Sequence, residues 1–174
     1  MKFYRPKIMG VLNVTPDSFS DGNLYFDLDK ALDQAKLLAI SGADIIDVGG
    51  ESTRPGATRV SLAEEQDRVI PVIAQIAKED LAAISIDTMN AETARLAVAA
   101  GASIINDVSG GLADEGMFQV AAQTGATLVI SHWRGFSDQM DKLNQYQDIA
   151  VEVASELEAQ VNRAIAAGVA GKNW

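Results

Sequence analysis

The chain has 174 residues, a hydrophobic content of 48%, a formal net charge of −10 and no cysteine. This length is enough for one domain with a hydrophobic core, and the lack of cysteine excludes disulfides, zinc–thiolate sites and thiol catalysis. The acidic charge argues against sequence-independent binding to nucleic acid, and no apolar run approaches the roughly 20 residues that span a bilayer. We therefore expect a single cytoplasmic domain over residues 1–174, with neither nucleic acid nor a membrane as partner.

Short apolar runs alternate with helical patterns along the chain. The predicted strands are Lys7–Val14, Ala43–Val48, Ala83–Asp87, Ala102–Val108 and Ala126–Ser131. The predicted helices are Leu28–Ser41, Ser61–Lys78, Asn90–Ala100, Gly116–Thr124 and Gln145–Ala167. Ser61 and Asn90 are residue types that cap helix N-termini, and a glycine follows several of the helices. The pattern indicates five copies of one βα unit, with no linker between domains.

Strands that alternate with helices imply a parallel sheet, and the ends of the strands favour one of two architectures. In an open doubly wound sheet the ligand lies at one switch point, whereas in a (β/α)8 barrel all strand ends surround one mouth. Polar residues lie at or near the C-terminal end of every predicted strand: Asn13, Asp47, Asp87, Asn106 with Asp107, and Ser131 with His132. We therefore predict an α/β fold of the (β/α)8 TIM barrel family. Five strands cannot close a barrel, so we expect an incomplete barrel that lacks about three units.

The first predicted strand runs into the polar segment Asn13–Gly22, NVTPDSFSDG. The amide oxygen of Asn13 can ligate a hard cation or bond a phosphate, and Thr15 adds a hydroxyl. The simpler interpretation is an ordinary strand-to-helix loop with an Asx or Ser/Thr turn. Composition alone does not separate the two.

A second polar segment, Gly49–Gly56 (GGESTRPG), follows the second predicted strand. Paired glycines allow a ligand to approach the backbone closely, and the guanidinium of Arg54 can hold a carboxylate or a phosphate. The alternative is a glycine-rich turn with a solvated arginine. The segment is not a P-loop, because the Gly-Lys-Ser/Thr ending is missing.

Asp87 ends the third predicted strand, and Asn106 lies near the end of the fourth. A carboxylate at a buried strand end must be hydrogen-bonded, so Asp87 could serve a ligand rich in N–H groups or a developing cation. Alternatively, it bonds the N-terminus of the next helix. Asn106 can donate and accept at the edge of a heterocycle, or it can be satisfied within the sheet. The neighbouring Asp107 is expected on the opposite face, among the helices.

The fifth predicted strand ends in the segment Ser131–Gly135, SHWRG. His132 is the only histidine in the chain, which excludes a metal site built from two histidines. A lone histidine is more often a structural group than a catalyst. Trp133 offers a flat apolar wall near the expected mouth.

Taken together, these segments resemble the dihydropteroate synthase family. The resemblance rests on four segments that occur in the family's order, each at a predicted strand end: Met9–Gly22, Asp47–Gly56, Ser85–Thr88 and Asn106–Gly110. It covers the chain from Lys7 to Trp174. A resemblance of this density implies a pterin-binding barrel.

The resemblance implies an enzyme of folate biosynthesis and a target of sulfonamides. It would join 6-hydroxymethyl-7,8-dihydropterin pyrophosphate to p-aminobenzoate, releasing 7,8-dihydropteroate and pyrophosphate, with Mg²⁺ as cofactor. By position, Asn13 would contact Mg²⁺ and pyrophosphate, and Thr53 would contact the pyrophosphate. Asp87 and Asn106 would hold the pterin ring. Asp87 would also stabilise the pterin methylene cation that forms when pyrophosphate leaves.

The resemblance also implies a site for the second substrate on two mobile loops. Thr15 to Asp21 would belong to the first loop, and Ser52 to Arg59 to the second. Asp17, Phe19 and Arg54 would help to form the p-aminobenzoate site. Closure of the loops would exclude water, which would otherwise capture the cation.

The sequence departs from the family pattern after the fifth predicted helix. The family continues with an Asp-Pro-Gly strand end, a Ser-Arg-Lys segment and a last strand with Arg and His, whereas this sequence stops at Trp174. We therefore expect the N-terminal portion of a dihydropteroate synthase, inactive by itself, whose full-length parent is a homodimer. The alternative is a non-catalytic pterin-binding module or a methyltetrahydrofolate-dependent methyltransferase relative. Such relatives should lack the segments Asn13–Gly22 and Ser52–Gly56.

Overall fold

The computed structural model describes residues 5–15, 24–51, 60–136 and 142–171. The strands are β1 (Met9–Asn13), β2 (Ile45–Gly49), β3 (Ala83–Asp87), β4 (Ile104–Asp107) and β5 (Thr127–Ile130). The helices are α1 (Leu24–Ile40), α2 (Leu62–Glu79), α3 (Ala91–Ala100), α4 (Met117–Thr124) and α5 (Ile149–Ala166). Within these ranges, no helix combines the length and the apolar character that a membrane span requires.

The predicted elements are all present, with two shifted helix starts. Helix α1 begins at Leu24, four residues before the predicted start, and α5 begins at Ile149, four residues after it. The start of α5 is fixed by Asp148, whose carboxylate accepts hydrogen bonds from two backbone N–H groups of the first turn. An N-cap of this kind satisfies donors that have no partner within the helix.

The five strands form one parallel sheet in the order β1-β2-β3-β4-β5. Each strand therefore pairs with its neighbour in sequence, and the described strands contain no switch point of the kind that defines a doubly wound sheet. Because parallel strands all point the same way, their C-terminal ends lie along one edge of the sheet. The register aligns Asn13 with Gly49, Gly49 with Asp87, and Asp87 with Asn106.

One face of the sheet, here called the outer face, carries the hydrophobic core. Its residues are β-branched or leucine side chains at alternate strand positions, each at most 1% exposed: Leu12, Ile46, Val48, Ile86, Ile105 and Leu128. Helix α2 faces them with a buried apolar stripe that includes Val69, Val72, Ile73 and Ile76. Alternation along a strand sends the residues between these positions to the opposite, inner face.

Two helix caps that the sequence predicts have different outcomes. Ser61 caps α2 as predicted, because its hydroxyl accepts a hydrogen bond of 3.2 Å from the backbone N–H of Glu64. Asn90 stands at the N-cap position of α3, but its side chain makes no capping bond. The first backbone N–H of that helix is bound instead by the carboxylate of Asp114, at 2.8 Å. The side chain of Asn90 is thereby released for another partner.

Candidate functional site

Polar side chains on the inner face meet at the C-terminal edge of the sheet. The uppermost row, read across the strands, is Asn13, Gly49, Asp87 and Asn106. The row below it contains Asp47 and Ser85, which are aligned with each other. Asn13 is exposed, Asp87 and Asn106 are half-buried, and Asp47 is 4% exposed. The structure thus places three residues that the sequence predicts for the site, Asn13, Asp87 and Asn106, in one row at the same edge of the sheet.

Asp87 is a carboxylate in an unfavourable setting. Burial, and after it the negative charges of the neighbouring acids Asp47, Asp107, Glu65 and Glu51, together raise its pKa from 3.8 to about 7. Within the described part of the chain, no hydrogen-bond donor reaches its oxygens. The alternative in which Asp87 bonds the N-terminus of α3 is therefore wrong, since Asp114 takes that position. A group of this kind is suited to a ligand that brings N–H donors or positive charge.

Asn106 is held in one orientation by Asp47. Its amide nitrogen donates a hydrogen bond of 3.0 Å to Oδ2 of Asp47, which reaches it across strand β3. The other carboxylate oxygen of Asp47 and the hydroxyl of Ser85 are buried and meet no partner in the described residues. The nitrogen of Asn106 donates one hydrogen bond to Asp47, and among the described residues the carbonyl oxygen and the second N–H are left for a ligand.

The loop that follows Asp87 is fixed by a buried carboxylate on α2. Glu65 is 1% exposed and accepts hydrogen bonds from the hydroxyls of Thr88 and Thr93 and from the amide of Asn90, at 2.6 to 2.7 Å. These three donors lie on the loop after β3 and in the first turn of α3. Glu65 therefore ties two helices to the end of the strand that carries Asp87.

Asp107 points away from the inner face, as predicted. It is fully buried on the outer side and accepts hydrogen bonds from the backbone N–H and hydroxyl of Ser109 and from the backbone N–H of Gly111. Burial nevertheless raises its pKa, although these hydrogen bonds act in the opposite direction. Asp107 thus shapes the turn after β4 and has no free oxygen for a ligand.

The end of β5 carries an ionic cluster that binds the following loop to α5. Arg134 forms ion pairs with Glu152 and Glu156 and lies 3.8 Å from the ring centre of Tyr146. His132 also contacts Glu156, at 2.8 Å. Hydrogen bonds from Arg134 and His132 lower the pKa of Glu156 to about 2. His132 is therefore a structural partner in this cluster, the role that the sequence favours for a lone histidine.

Two further residues singled out from the sequence, Trp133 and Thr15, lie within the described ranges. Trp133 is half-buried and packs edge-on against Phe136, with ring centres 4.9 Å apart. Thr15, two residues after the end of β1, is half-buried. The other residues that the resemblance assigns to the site lie outside the described ranges: Asp17, Phe19, Thr53 and Arg54.

The donor set near Asn13 limits what kind of metal ion could bind. The described ranges contain no group of three or more His, Cys, Asp or Glu residues that could hold a metal ion. The described residues therefore do not form a metal site in which the protein supplies all the ligands. An exposed amide oxygen such as that of Asn13 fits an ion that takes most of its ligands from water and phosphate, as Mg²⁺ commonly does.

Two contacts of the site were not foreseen from the sequence. The first is the network of Glu65, for which a signal exists: a glutamate stands four residues before Val69, within the apolar stripe of α2. The second is the bond between Asp47 and Asn106, which joins strands that are not adjacent in the sheet. No local pattern marks that pairing.

Comparison with known proteins identifies the family. The family model described as pterin binding enzyme matches residues 9–173. The chain is 51% identical over 166 residues to a dihydropteroate synthase of Bacillus subtilis, covering 95% of this chain and 56% of that protein. It is 45% identical over 164 residues to one of Mycobacterium leprae, covering 94% of this chain and 57% of that protein. The chain thus spans somewhat more than half the length of these relatives.

Solved structures agree with this result. A Xanthomonas albilineans dihydropteroate synthase with 4-aminobenzoic acid matches with a TM-score of 0.87 and 41% identity, over 97% of this chain and 59% of that chain. A Yersinia pestis dihydropteroate synthase in a sulfonamide drug complex matches with the same TM-score and identity, over 95% of this chain and 60% of that chain. These similarities confirm the predicted fold class, an α/β chain of the (β/α)8 barrel family with five parallel strands. The chain belongs to the family of pterin binding enzymes.

Proposed function

We propose that this chain carries pterin-binding and catalytic residues of a dihydropteroate synthase. The reaction would join 6-hydroxymethyl-7,8-dihydropterin pyrophosphate to p-aminobenzoate and release pyrophosphate. Membership of the family and identities of 45–51% to dihydropteroate synthases support this assignment. The observation that carries it is the carboxylate of Asp87, which lies beside Asn106 and has no donor among the described residues.

Asp87 would act on the pterin in two ways. Its oxygens would accept hydrogen bonds from ring N–H groups, and its negative charge would stabilise the cation that develops as the bond to pyrophosphate breaks. Since burial and the neighbouring acids raise the pKa of Asp87 to about 7, the free site holds the proton up to near-neutral pH. An incoming N–H group or positive charge favours the ionised form, so ligand binding would lower that pKa.

Asn106 would read the edge of the ring. Its amide is oriented by Asp47, with one N–H already used at 3.0 Å. The site therefore presents a fixed carbonyl acceptor and one donor, a pair that matches the alternating donors and acceptors of a heterocycle. In this arrangement Asp47 is a positioning residue, which acts through Asn106.

Asn13 would lie at the pyrophosphate end of the site. Its exposed amide oxygen stands at the same sheet edge as Asp87, with Gly49 between them. We propose Mg²⁺ as cofactor, held by Asn13 together with pyrophosphate oxygens and water. When bound, Mg²⁺ would neutralise the charge on the leaving pyrophosphate, so that no acidic side chain is required to protonate it.

The remaining assignments rest on the sequence alone. Thr53 is proposed for the pyrophosphate, and Thr15, Asp17, Phe19 and Arg54 for the loops that would hold p-aminobenzoate. A cytoplasmic location and a homodimer of the full-length protein also stay predictions.

A chimeric enzyme tests the proposal. Residues 9–173 would replace the aligned segment of the Bacillus subtilis dihydropteroate synthase, and formation of 7,8-dihydropteroate would be measured. We expect an active chimera whose kcat falls about 10²–10³-fold with Asp87→Asn, because a charge that stabilises the transition state is lost. Asp67→Asn, an exposed acid on α2, is the matched control and should leave the rate unchanged. An inactive chimera that folds normally, or full activity of Asp87→Asn, would contradict the proposal.

The isolated 174-residue chain is assayed beside the chimera. We expect it to bind pteroic acid, since Asp87 and Asn106 are both present, and to form little or no dihydropteroate. Robust turnover by the isolated chain would show that the expectation of an inactive fragment is wrong.

A further inference from the structure

Gly49 occupies a central place in the upper row of the inner face. The register sets it directly between Asn13 on β1 and Asp87 on β3. It is buried, it is the last residue of β2, and its missing side chain would point to the same face as the side chains of these two neighbours.

Neither the backbone nor packing requires a glycine at this position. Gly49 does not have a positive φ, unlike Gly110 and Gly111. A Cβ added to Gly49 would meet its nearest atoms at 3.5 Å (Oδ2 of Asp87), 3.6 Å (Cβ of Asp87) and 3.7 Å (Oδ1 of Asn13), all ordinary contact distances. Within a strand, glycine is less stable than alanine by about 0.5–1 kcal/mol. The glycine is therefore unfavourable for stability and is not explained by the fold.

The adjacent glycine is different. A Cβ on Gly50 would lie 2.8 Å from Cγ1 of Val69 and 3.3 Å from the backbone oxygen of Glu65, so that close packing against α2 excludes any side chain there. Of these two consecutive glycines, Gly50 serves the core. Gly49 leaves a space, here called the Gly49 gap, which is bounded by the side-chain oxygens of Asn13 and Asp87.

We propose that Gly49 is a specificity-determining residue, and that the Gly49 gap receives the methylene arm that joins the pterin ring to its leaving group or to its amine partner. The inference rests on the proposed function, in which Asp87 holds the ring and Asn13 lies at the pyrophosphate end. Because Gly49 separates these two residues in the register, atoms that connect the ring to the pyrophosphate pass over it. A methyl group at that point would stand where the arm runs.

Binding of two probes to the 174-residue chain tests this inference. Pteroic acid carries the methylene arm, whereas unsubstituted pterin has the ring alone. We expect Gly49→Ala to weaken pteroic acid about 10–100-fold, the effect of inserting one methyl group into an occupied space, and to change pterin less than about threefold. The melting temperature of Gly49→Ala should be unchanged or slightly higher. Gly50→Ala, the matched variant, should instead lower it by about 5 °C or more.

Four other outcomes are possible, and each would overturn one of the claims made above. Equal binding of pteroic acid by wild type and Gly49→Ala would overturn this inference and leave the proposed function standing. An equal loss for both probes would place the ring itself in the Gly49 gap and overturn the assignment to the arm. Unfolding of Gly49→Ala would contradict the room for a methyl group on which the inference depends. Failure of the wild-type chain to bind either probe would overturn the proposed function, and this inference with it.

Discussion

The buried acids on the two sides of the sheet differ in how many hydrogen bonds they accept from the chain. On the helix-covered side, Glu65 and Asp107 are at most 1% exposed, and each accepts three hydrogen bonds from the chain itself. On the inner side, Asp47 accepts one hydrogen bond and leaves one oxygen without a partner, and Asp87 meets no donor in the described residues. Buried polar groups without partners are costly, so a fold keeps them where a ligand supplies what the chain does not. We therefore assign Glu65 and Asp107 to the stability of the fold, and Asp47 and Asp87 to the binding of a ligand.

The largest expected effect is the loss of Glu65. Glu65→Ala removes a carboxylate that accepts three short hydrogen bonds and leaves the buried Thr88 and Thr93 and the half-buried Asn90 without their acceptor. We expect a decrease of about 3–5 kcal/mol in the free energy of unfolding, measured by urea denaturation. Glu64→Ala is the matched control on the same helix. Glu64 is exposed, and its one ion pair among the described residues is with Arg68 one turn away, so its loss should change stability by less than about 1 kcal/mol. Equal effects of the two variants would refute the role given to Glu65.

Glu65→Ala is expected to lower stability, whereas Asp87→Asn should raise it. The gain should appear only above the pH at which Asp87 of the unfolded chain begins to ionise. The pKa of Asp87 is raised from 3.8 to about 7 in the folded state, so the folded protein holds a proton that the unfolded chain releases between these values. Wild-type stability therefore falls as pH rises from about 4 to about 7, by about 2–4 kcal/mol from this group. The asparagine variant lacks that loss. It should match the wild type at pH 4 and exceed it by a similar amount at pH 8.

The difference between the two unfolding curves, measured from pH 4 to pH 8, isolates Asp87 from the other acids. A difference that does not vary with pH would show that Asp87 is not the titrating group. Pteroic acid binding provides the second readout, because the same variant should bind the ligand more weakly at pH 8, where the wild-type carboxylate is ionised. Gain of stability together with loss of binding is the result that a purely structural acid would not give.

Asp107→Asn provides the contrast on the other side of the sheet. The amide keeps one acceptor oxygen, but its NH₂ group must then face a donor, such as the backbone N–H of Gly111. We expect a loss of about 1–2 kcal/mol in unfolding free energy, with no change in the affinity of the folded protein for pteroic acid. Asp80→Asn, an exposed residue with a left-handed backbone that asparagine also adopts, serves as the control and should lie within about 0.5 kcal/mol of wild type. If Asp107→Asn raised the free energy of unfolding, as Asp87→Asn is expected to do, the acids on the two sides of the sheet would no longer differ in their role.

The side of the sheet that each of these polar residues faces can largely be predicted from the sequence, because it depends on the alternation of residues along a strand. Apolar runs at alternating spacing give five strands, and the register of parallel strands brings Asn13, Asp87 and Asn106 to one edge. The same alternation sends Asp107 to the other side, next to Asn106 in sequence but opposite in direction. For these residues, chain order and strand geometry suffice.

Contacts between distant segments could not be predicted in this way. Glu65 stands beside a capping sequence and has the appearance of an exposed acid in a first helical turn. Its three partners begin 23 residues later, so that only the packing of α2 against α3 reveals them. Likewise, the bond of Asn106 to Asp47 spans 59 residues and crosses strand β3. Whether a buried acid is satisfied is a property of the tertiary structure, and this property distinguishes Glu65 from Asp87.

The smallest expected change in the free energy of unfolding concerns two buried hydroxyl groups. Ser85 and Thr93 are both 0% exposed, but the hydroxyl of Thr93 donates to Glu65 at 2.7 Å, whereas that of Ser85 has no partner in the described residues. Removing a bonded hydroxyl leaves its acceptor short of one hydrogen bond, so Thr93→Val should lose about 1–2 kcal/mol. Ser85→Ala removes a group that contributes no bond and should lie within about 0.5 kcal/mol of wild type. Urea denaturation of both variants measures the difference. If Ser85→Ala loses as much as Thr93→Val, the hydroxyl of Ser85 is already bonded in the free protein, and the inner side is then satisfied without a ligand.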